Sequence, residues 1–541
     1  MCSRPALLAL FAALLIAAGT GTGCQRAEPP PRPLPSTALS PDTLASVHWV
    51  GKCRLDLEAD AYFFSRVWSL PETKRLQAQT LDRFAIGFWR RFLGDAAAAG
   101  IPPVVLRPLL EDLVDSESYL EIRAATNSQL STVDAQPALV FAIQVSDRRA
   151  GFWETNLAVA AQLLTGLPAV SAPAARGWQL QRTAPPNVIR FTRFNGWLVL
   201  SVGPRLNPLL DDIISRVHRQ GVPFVSAGTN LWLEATLAPS RLADVFSLSA
   251  RPTGAVGIPS SILHPLSSIS AFFFSFSGDG GNVITRARVE LAQPLPADLT
   301  PWQLPLPLLH EPLNSFTAMR GLQPWLAGLP WWRESPAGSP PDQLFFWSLG
   351  GSPYQTYLAA PVPEAGRQGS ALAGWLMQKA NPWLAANGYI SFDPAPDGNG
   401  VTWGNLPDIR PFIKSAGADD QGWLFAGLFP DTNLVTTPPP AGMFKYILQR
   451  TNLVYYGWEV TGPCLQPCFE LGQTVRLIMR QPQLPANCAS LNWLTMLVPR
   501  LGTSATLINR TGPAELTLYR RSTLGLTAPE LQLLAGWLES P

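Results

Sequence analysis

The spacing of apolar and polar positions changes several times along the chain, and each change marks an element. Short apolar or alternating runs bounded by turn residues predict strands, and apolar residues recurring every three to four predict helices. Residues 47–55 read as a strand. Ser69-x-x-Glu72, with Pro71 between, has the form of a capping box. Leu81, Phe84, Ala85, Phe88 and Phe92 then share one helical face, with Gly94 as the end. Residues 109–123 predict a helix running into a strand. A strand at 138–145 is followed by the helical stripe Trp153, Leu157, Ala161 and Leu164, closed by Gly166. Strands 188–194 and 197–202 flank Asn195-Gly196, a pair that accepts the positive φ of a type I′ hairpin. Asn207-Pro208 opens a helix as N-cap and first-turn residue. Its stripe is Leu210, Ile213, Ile214 and Val217, and Gly221 closes it. Strands at 230–237, 272–277 and 283–291 follow.

A proline-rich connection, 296–313, separates this half from a second with the same rhythm. Strands are expected at 344–349, 356–360, 423–429 and 453–460, and helices at 370–386, 463–480 and 487–498. A hairpin turns at Thr511-Gly512. The last helix starts at Thr527, carries Pro529 and Glu530 in its first turn, and buries Leu531, Leu534, Trp537 and Leu538. Hairpins outnumber parallel crossovers. The expected class is therefore α+β, with two lobes (43–295 and 314–541) of mainly antiparallel sheet covered by helices. Their common grammar suggests a degenerate duplication.

The first residues belong to neither lobe. Arg4 precedes the apolar run 6–18, which is shorter than the ~20 residues of a membrane span. A small-residue stretch, Gly19 to Gly23, leads to Cys24. This predicts a signal peptide over 1–23 and lipidation of Cys24, although Gly21 stands where a lipobox usually has Leu. Residues 24–42 read as a proline-rich tether, extended at ~3.1 Å per residue. Gln25 after the cysteine points to the outer membrane; the alternative is release into the periplasm or medium.

Composition narrows the function classes. Lysine plus arginine number 40 and aspartate plus glutamate 38, only 14% of residues are charged, and no basic block occurs, so nucleic acid is not an expected partner. Four histidines leave little room for metal chemistry, and no cofactor is expected. Dinucleotide, phosphate-loop, zincin and nucleophile-elbow motifs are absent. His48, His218, His264 and His310 lie far apart. Glu111, Asp112, Asp115, Glu117 and Glu121 read as a solvated acidic face. Asp393 to Gly400 reads as an exposed turn and not a calcium loop. Of the cysteines, Cys464, Cys468 and Cys488 form either one disulfide or free buried thiols. The 19 tryptophans are expected mostly in the core. Trp325, Trp331 and Trp332 are the candidates for a partner surface or a lobe anchor.

Two segments resemble a known group. His48-Trp49-Val-Gly51 leading to Phe64-x₃-Trp68-Ser-Leu-Pro-Glu72, and 526–540 ending in Trp537-Leu-Glu-Ser540, are similar to a family of large exported, uncharacterised proteins of verrucomicrobial-type bacteria. The resemblance implies export and one intact mature chain, and carries no site residues. Together these readings predict an envelope lipoprotein acting as a non-enzymatic structural or interaction module, with an envelope protein partner. A secreted hydrolase, for instance a carbohydrate-active one, and a carrier of an apolar ligand are the alternatives.

Overall fold

The computed structural model describes residues 40, 42–94, 105–124, 137–171, 177–181, 187–225, 228, 230–245, 269–295, 299–336, 338–350, 355–386, 388, 391–395, 400–403, 410–417, 422–429, 437–439, 442, 444–478, 483–485 and 487–539. The expected signal, Cys24 and all of the tether except residues 40 and 42 lie outside them. Among the described residues no helix is long and apolar enough to cross a membrane. The class is α+β with antiparallel sheet, and the chain divides into two compact units. One lies within Pro31–Pro294 with Ala514–Thr517; the other spans Leu295–Pro513 and Leu518–Ser540.

The N-terminal unit has strands β1 (Thr43–Trp49), β2 (Ser118–Arg123), β3 (Ala138–Gln144), β4 (Val170–Ser171), β5 (Gly177–Gln181), β6 (Val188–Phe194), β7 (Trp197–Gly203), β8 (Leu233–Leu237), β9 (Ile269–Gly278) and β10 (Val283–Leu291). They pair antiparallel in the order β4-β5-β6-β7-β3-β2-β1-β8-β9-β10. Its main helices are α1 (Pro71–Leu93), α2 (Arg107–Asp115), α3 (Asp147–Thr165) and α4 (Pro208–Gln220).

Helix α4 forms as its sequence predicts. The Asn207 side chain accepts from the Leu210 N–H at 3.2 Å, Pro208 fills the first turn, and Gly221 stops the helix at φ 78°. Leu210, Ile213 and Val217 then bury against Tyr119, Val140, Ala142, Trp197 and Val199 on one face of the sheet. Each such buried aliphatic contributes ~1.5–3 kcal/mol. On the opposite face Trp153 and Ala161 of α3, with Leu109 of α2, pack on Ile143, Leu198, Trp178 and Phe191. The Asn195-Gly196 turn has φ 46° and 79°, as a type I′ hairpin requires.

Three local expectations fail. The first strand stops at Trp49, and Lys52–Leu55 is a short helix. The break is Gly51, at φ 85°, where a Cβ would lie 2.5 Å from the Ser116 backbone. Ser69 makes no capping box; it closes the preceding helix, and the N-cap of α1 is Leu70 without a side-chain bond. Phe84, Phe88 and Trp537 are exposed, while Trp89 and Ala535 take the buried places one residue round or half a turn away.

The C-terminal unit has β11 (Leu313–Arg320), β12 (Gln343–Leu349), β13 (Thr356–Val362), β14 (Phe392–Pro394), β15 (Gly400–Trp403), β16 (Phe412–Ala416), β17 (Gly422–Gly427), β18 (Leu453–Val460), β19 (Thr503–Gly512) and β20 (Glu515–Ser522). Their order is β14-β15-β16-β17-β13-β12-β11-β18-β19-β20. Its long helices are α5 (Ala365–Ala386), α6 (Thr461–Ile478), α7 (Ala489–Leu497) and α8 (Ala528–Glu539). Helix α5 begins five residues ahead of Ser370, the expected start.

The two strand orders correspond one for one, and so do two irregularities. The β1–β2 register steps between Thr43 and Ala45; the β11–β12 register steps between Leu313 and Ser315. Gly177 opens β5 at φ 152° and Gly400 opens β15 at φ 149°. A Cβ on either would run into the neighbouring strand's carbonyl oxygen, that of Phe191 or of Ile413. These marks align the ladders residue by residue. Thr43, Ser46 and His48 match Leu313, Phe316 and Ala318; Tyr119, Glu121 and Arg123 match Phe345, Trp347 and Leu349; Glu234 and Thr236 match Tyr456 and Trp458.

Candidate functional site

In the N-terminal unit, strand alternation puts Ser46 and His48 of β1, Tyr119, Glu121 and Arg123 of β2, and Glu234 and Thr236 of β8 on one face of three adjacent strands. Thr43 joins them past the register step. Arg216 reaches the same place from α4, and Phe224 and Val225 close the rim. Together with Ser40 they line a pocket of about 200 Å³.

Its floor is a charged network. Glu121 is only 2% exposed. Its Oε1 accepts from Arg123 Nε at 2.6 Å and from the Thr43 hydroxyl at 3.5 Å. Its Oε2 accepts from the Tyr119 hydroxyl at 2.6 Å and Arg216 Nη1 at 3.0 Å. Asp212 joins both arginines, at 2.7 Å from Arg123 and 2.6 Å from Arg216. Arg216 also donates to the Pro223 carbonyl at 2.9 Å, which ties the rim loop to the floor.

Burial alone would push the Asp212 carboxyl up, but hydrogen bonds from Arg216 and Arg123 outweigh it and hold the group below its usual range. Burial opposes charge on Arg216 too, and its bonds to Asp212 and Glu121 hold the guanidinium charged. Burial and the Glu121 carboxylate raise the Tyr119 phenol, so it stays a donor. At the other end His48 Nε2 lies 3.0 Å from Glu117 Oε1, and its ring stacks on Phe224 at 3.6 Å.

The equivalent face of the C-terminal unit carries no such network. Leu313, Phe316, Ala318, Phe345, Trp347, Leu349 and Trp458 are buried in one apolar core, with Tyr456 packed against it. The topology therefore folds with these eight positions non-ionic and mostly apolar, and the charges of the N-terminal unit are not demanded by the sheet. Replacing a buried ion network by packed hydrophobic groups is often neutral or stabilising. A costly network kept in one unit alone marks that unit's pocket as the place to look for function.

Compared with family models, with curated proteins and with solved structures, the chain matches none.

The structure distributes the sequence candidates as follows. Cys464, Cys468 and Cys488 are buried thiols, the second of the two arrangements expected, and no disulfide joins them. Cys464 Sγ lies 3.8 Å from the Asn314 carbonyl and Cys488 Sγ 3.3 Å from Ser490 Oγ, so each is packed in its own surroundings. Trp325 is 62% exposed on a short helix, whereas Trp332 is buried and donates to the Gly338 carbonyl at 3.1 Å. The Trp331 side chain and residues 396–399 lie outside the described residues. No group of three or more potential metal ligands occurs among the described residues.

The acidic segment is not one solvated face. Asp112 holds Arg149 and Trp153, Glu117 meets His48, and Glu121 is on a strand and buried. His48 therefore has a partner 69 residues away. The missed signal was period two: Tyr119-x-Glu121-x-Arg123 alternates with Leu120 and Ile122, and Ser46-x-His48 alternates with Val47.

Proposed function

We propose that this protein is a binding module of the bacterial cell envelope, without chemistry of its own, that recognises its target through the polar pocket of the N-terminal unit. In this reading the chain arose by duplication of one ten-stranded unit, is exported, and is held at the outer membrane by a lipid on Cys24, with an envelope component as partner. The shared strand order, the register step and the glycine pair support the duplication. The observation that carries the functional reading is that eight polar positions of one unit correspond to eight non-ionic, mostly apolar positions of the other. One copy kept a recognition face while the other became core.

The hydrolase alternative asks for two carboxyls ~5–9.5 Å apart and free to exchange protons with substrate. Glu121 and Asp212 are instead each bound to two arginines. The apolar-carrier alternative asks for a large apolar cavity, and this pocket is small and lined by hydroxyls and charges. Fractionation tests the anchor: Cys24→Ser is expected to leave the membrane fraction and to lose labelling by a fatty-acid analogue. A variant that stays bound and labelled refutes it. Photo-crosslinking from Val225 at the rim tests the module reading and is expected to trap an envelope component. Cross-linked yields no higher than those from an exposed residue far from the pocket would refute it.

A further inference from the structure

We infer that the pocket takes a small neutral polyhydroxyl ligand, the size of one sugar residue. This rests on the reading of the pocket as a recognition site. Both oxygens of Glu121 already accept two bonds, and Asp212 takes both arginines. Glu121 and Asp212 already neutralise Arg123 and Arg216, so an anionic ligand would meet two carboxylates beside the guanidiniums, which serve as fixed walls and not as an anion clamp. Glu121, Asp212 and Glu234 set three carboxylates against two guanidiniums, a balance that further disfavours anions.

Two hydroxyls that face the pocket are different in kind. Ser46 and Thr236 are cross-strand partners on the pocket face, and their hydroxyls have no hydrogen-bond partner among the described residues. Each can donate and accept. Glu234, one pair further along the same ladder opposite His48, adds a carboxylate to the same row. The Phe224 ring, stacked on one side by His48, adds apolar surface beside these polar groups. Paired hydroxyls next to a carboxylate and an aromatic edge match vicinal ligand hydroxyls, which also donate and accept, above an apolar ring face. About 200 Å³ lies below the ~300–1,000 Å³ of pockets for drug-sized ligands, which sets the limit at one ring.

The test is calorimetric titration of the purified chain with a panel of hexoses and N-acetylhexosamines, each also presented as the terminal residue of a soluble oligosaccharide. Inorganic phosphate and spermidine are the competitors. The expected result is saturable one-site binding of at least one sugar, weakened at least tenfold by Thr236→Val and by Ser46→Ala, and unaffected by either competitor. Binding of the free sugar identifies a soluble ligand, and binding of the oligosaccharide alone identifies a glycan end; both outcomes support the inference. Both variants are checked by circular dichroism and thermal unfolding, and Thr236→Ser, which restores the hydroxyl, is expected to recover binding. The inference is overturned if no sugar binds at millimolar concentration, if binding survives both hydroxyl deletions in folded protein, or if phosphate or spermidine competes. Rim cross-linking to an envelope component with no sugar binding would refute the ligand class while leaving the recognition reading intact.

Discussion

Glu121 and Trp347 hold corresponding places in two strand ladders of the same order. Glu121 sits between Ser46 and Val140; Trp347 sits between Phe316 and Tyr357. One is a carboxylate neutralised by two arginines, the other a fully buried indole in an aromatic core. The pair shows that this fold tolerates either solution at the same point. It also makes the cost of the ionic one measurable.

Glu121→Ala would leave Arg216 and Arg123 facing a pocket with one carboxylate fewer. Removing one member of a buried pair typically costs ~3–5 kcal/mol. Combining Glu121→Leu with Arg216→Met should recover more than half of that loss, because the two deletions are coupled and not additive. Urea unfolding of the single and double variants checks this. A double variant as unstable as the sum of its parts would show the network to be essential to folding, against the comparison with Trp347.

Helix α4 carries Arg216 and Asp212, so its start positions the site. Asn207→Ala removes the N-cap acceptor of Leu210 N–H and should cost ~1 kcal/mol. Asn207→Asp keeps an acceptor and should cost less than half as much. Thermal unfolding of the two variants decides it; equal losses would mean that the cap contributes nothing.

Gly177→Ala and Gly400→Ala should each destabilise by roughly 1–3 kcal/mol, since both glycines have positive φ and both face a carbonyl across the ladder. Gly374→Ala is the control. It lies in α5 with open space around its Cβ and should stabilise by ~0.5–1 kcal/mol. If one strand glycine tolerates alanine and the other does not, the two positions are not equivalent and the register match loses its best marker.

What the sequence disclosed was local. Asn195-Gly196 and Asn207-Pro208 specify a turn and a helix start by their own chemistry, and both formed as read. The α+β class followed from counting hairpins. The site was hidden because it is assembled across the ladder: His48 and Glu117, or Glu121 and Arg216, are brought together by strand pairing that no spacing encodes. Glu121 was masked further by its acidic neighbours, which suggested a helix surface. Equivalence of the units was hidden for a related reason. The buried polar row changes face between them: Ser315, Ser348, Glu459 and Ser504 stand where the N-terminal unit has Ala45, Ile122, Leu237 and Phe272. An alignment by residue type fails there although the backbone pattern persists.

That second polar row predicts a pH dependence. Glu459 is fully buried on β18, with Oε1 accepting from Thr461 Oγ1 at 2.5 Å and from the Ala528 N–H of α8 at 2.9 Å, and with Oε2 lacking a partner among the described residues. Burial pushes its carboxyl up to about 7 from 4.5. The bonds from Thr461 and Ala528 pull it down, and of the nearby charges Glu530 adds to the rise while Arg520 opposes it. A folded-state pKa above the unfolded one means that the native state holds the proton more tightly. Its contribution is therefore complete below about pH 4.5 and is lost as pH rises through about 7. At about 1.4 kcal/mol per unit, the span from 4.5 to about 7 corresponds to ~3 kcal/mol. Glu459→Gln keeps the acceptor for Ala528 and cannot ionise. It should match the parent near pH 4, exceed its stability at pH 8, and flatten the decline between. Unfolding midpoints from pH 4 to 8 measure this, and an unchanged pH profile in the variant would place the proton elsewhere.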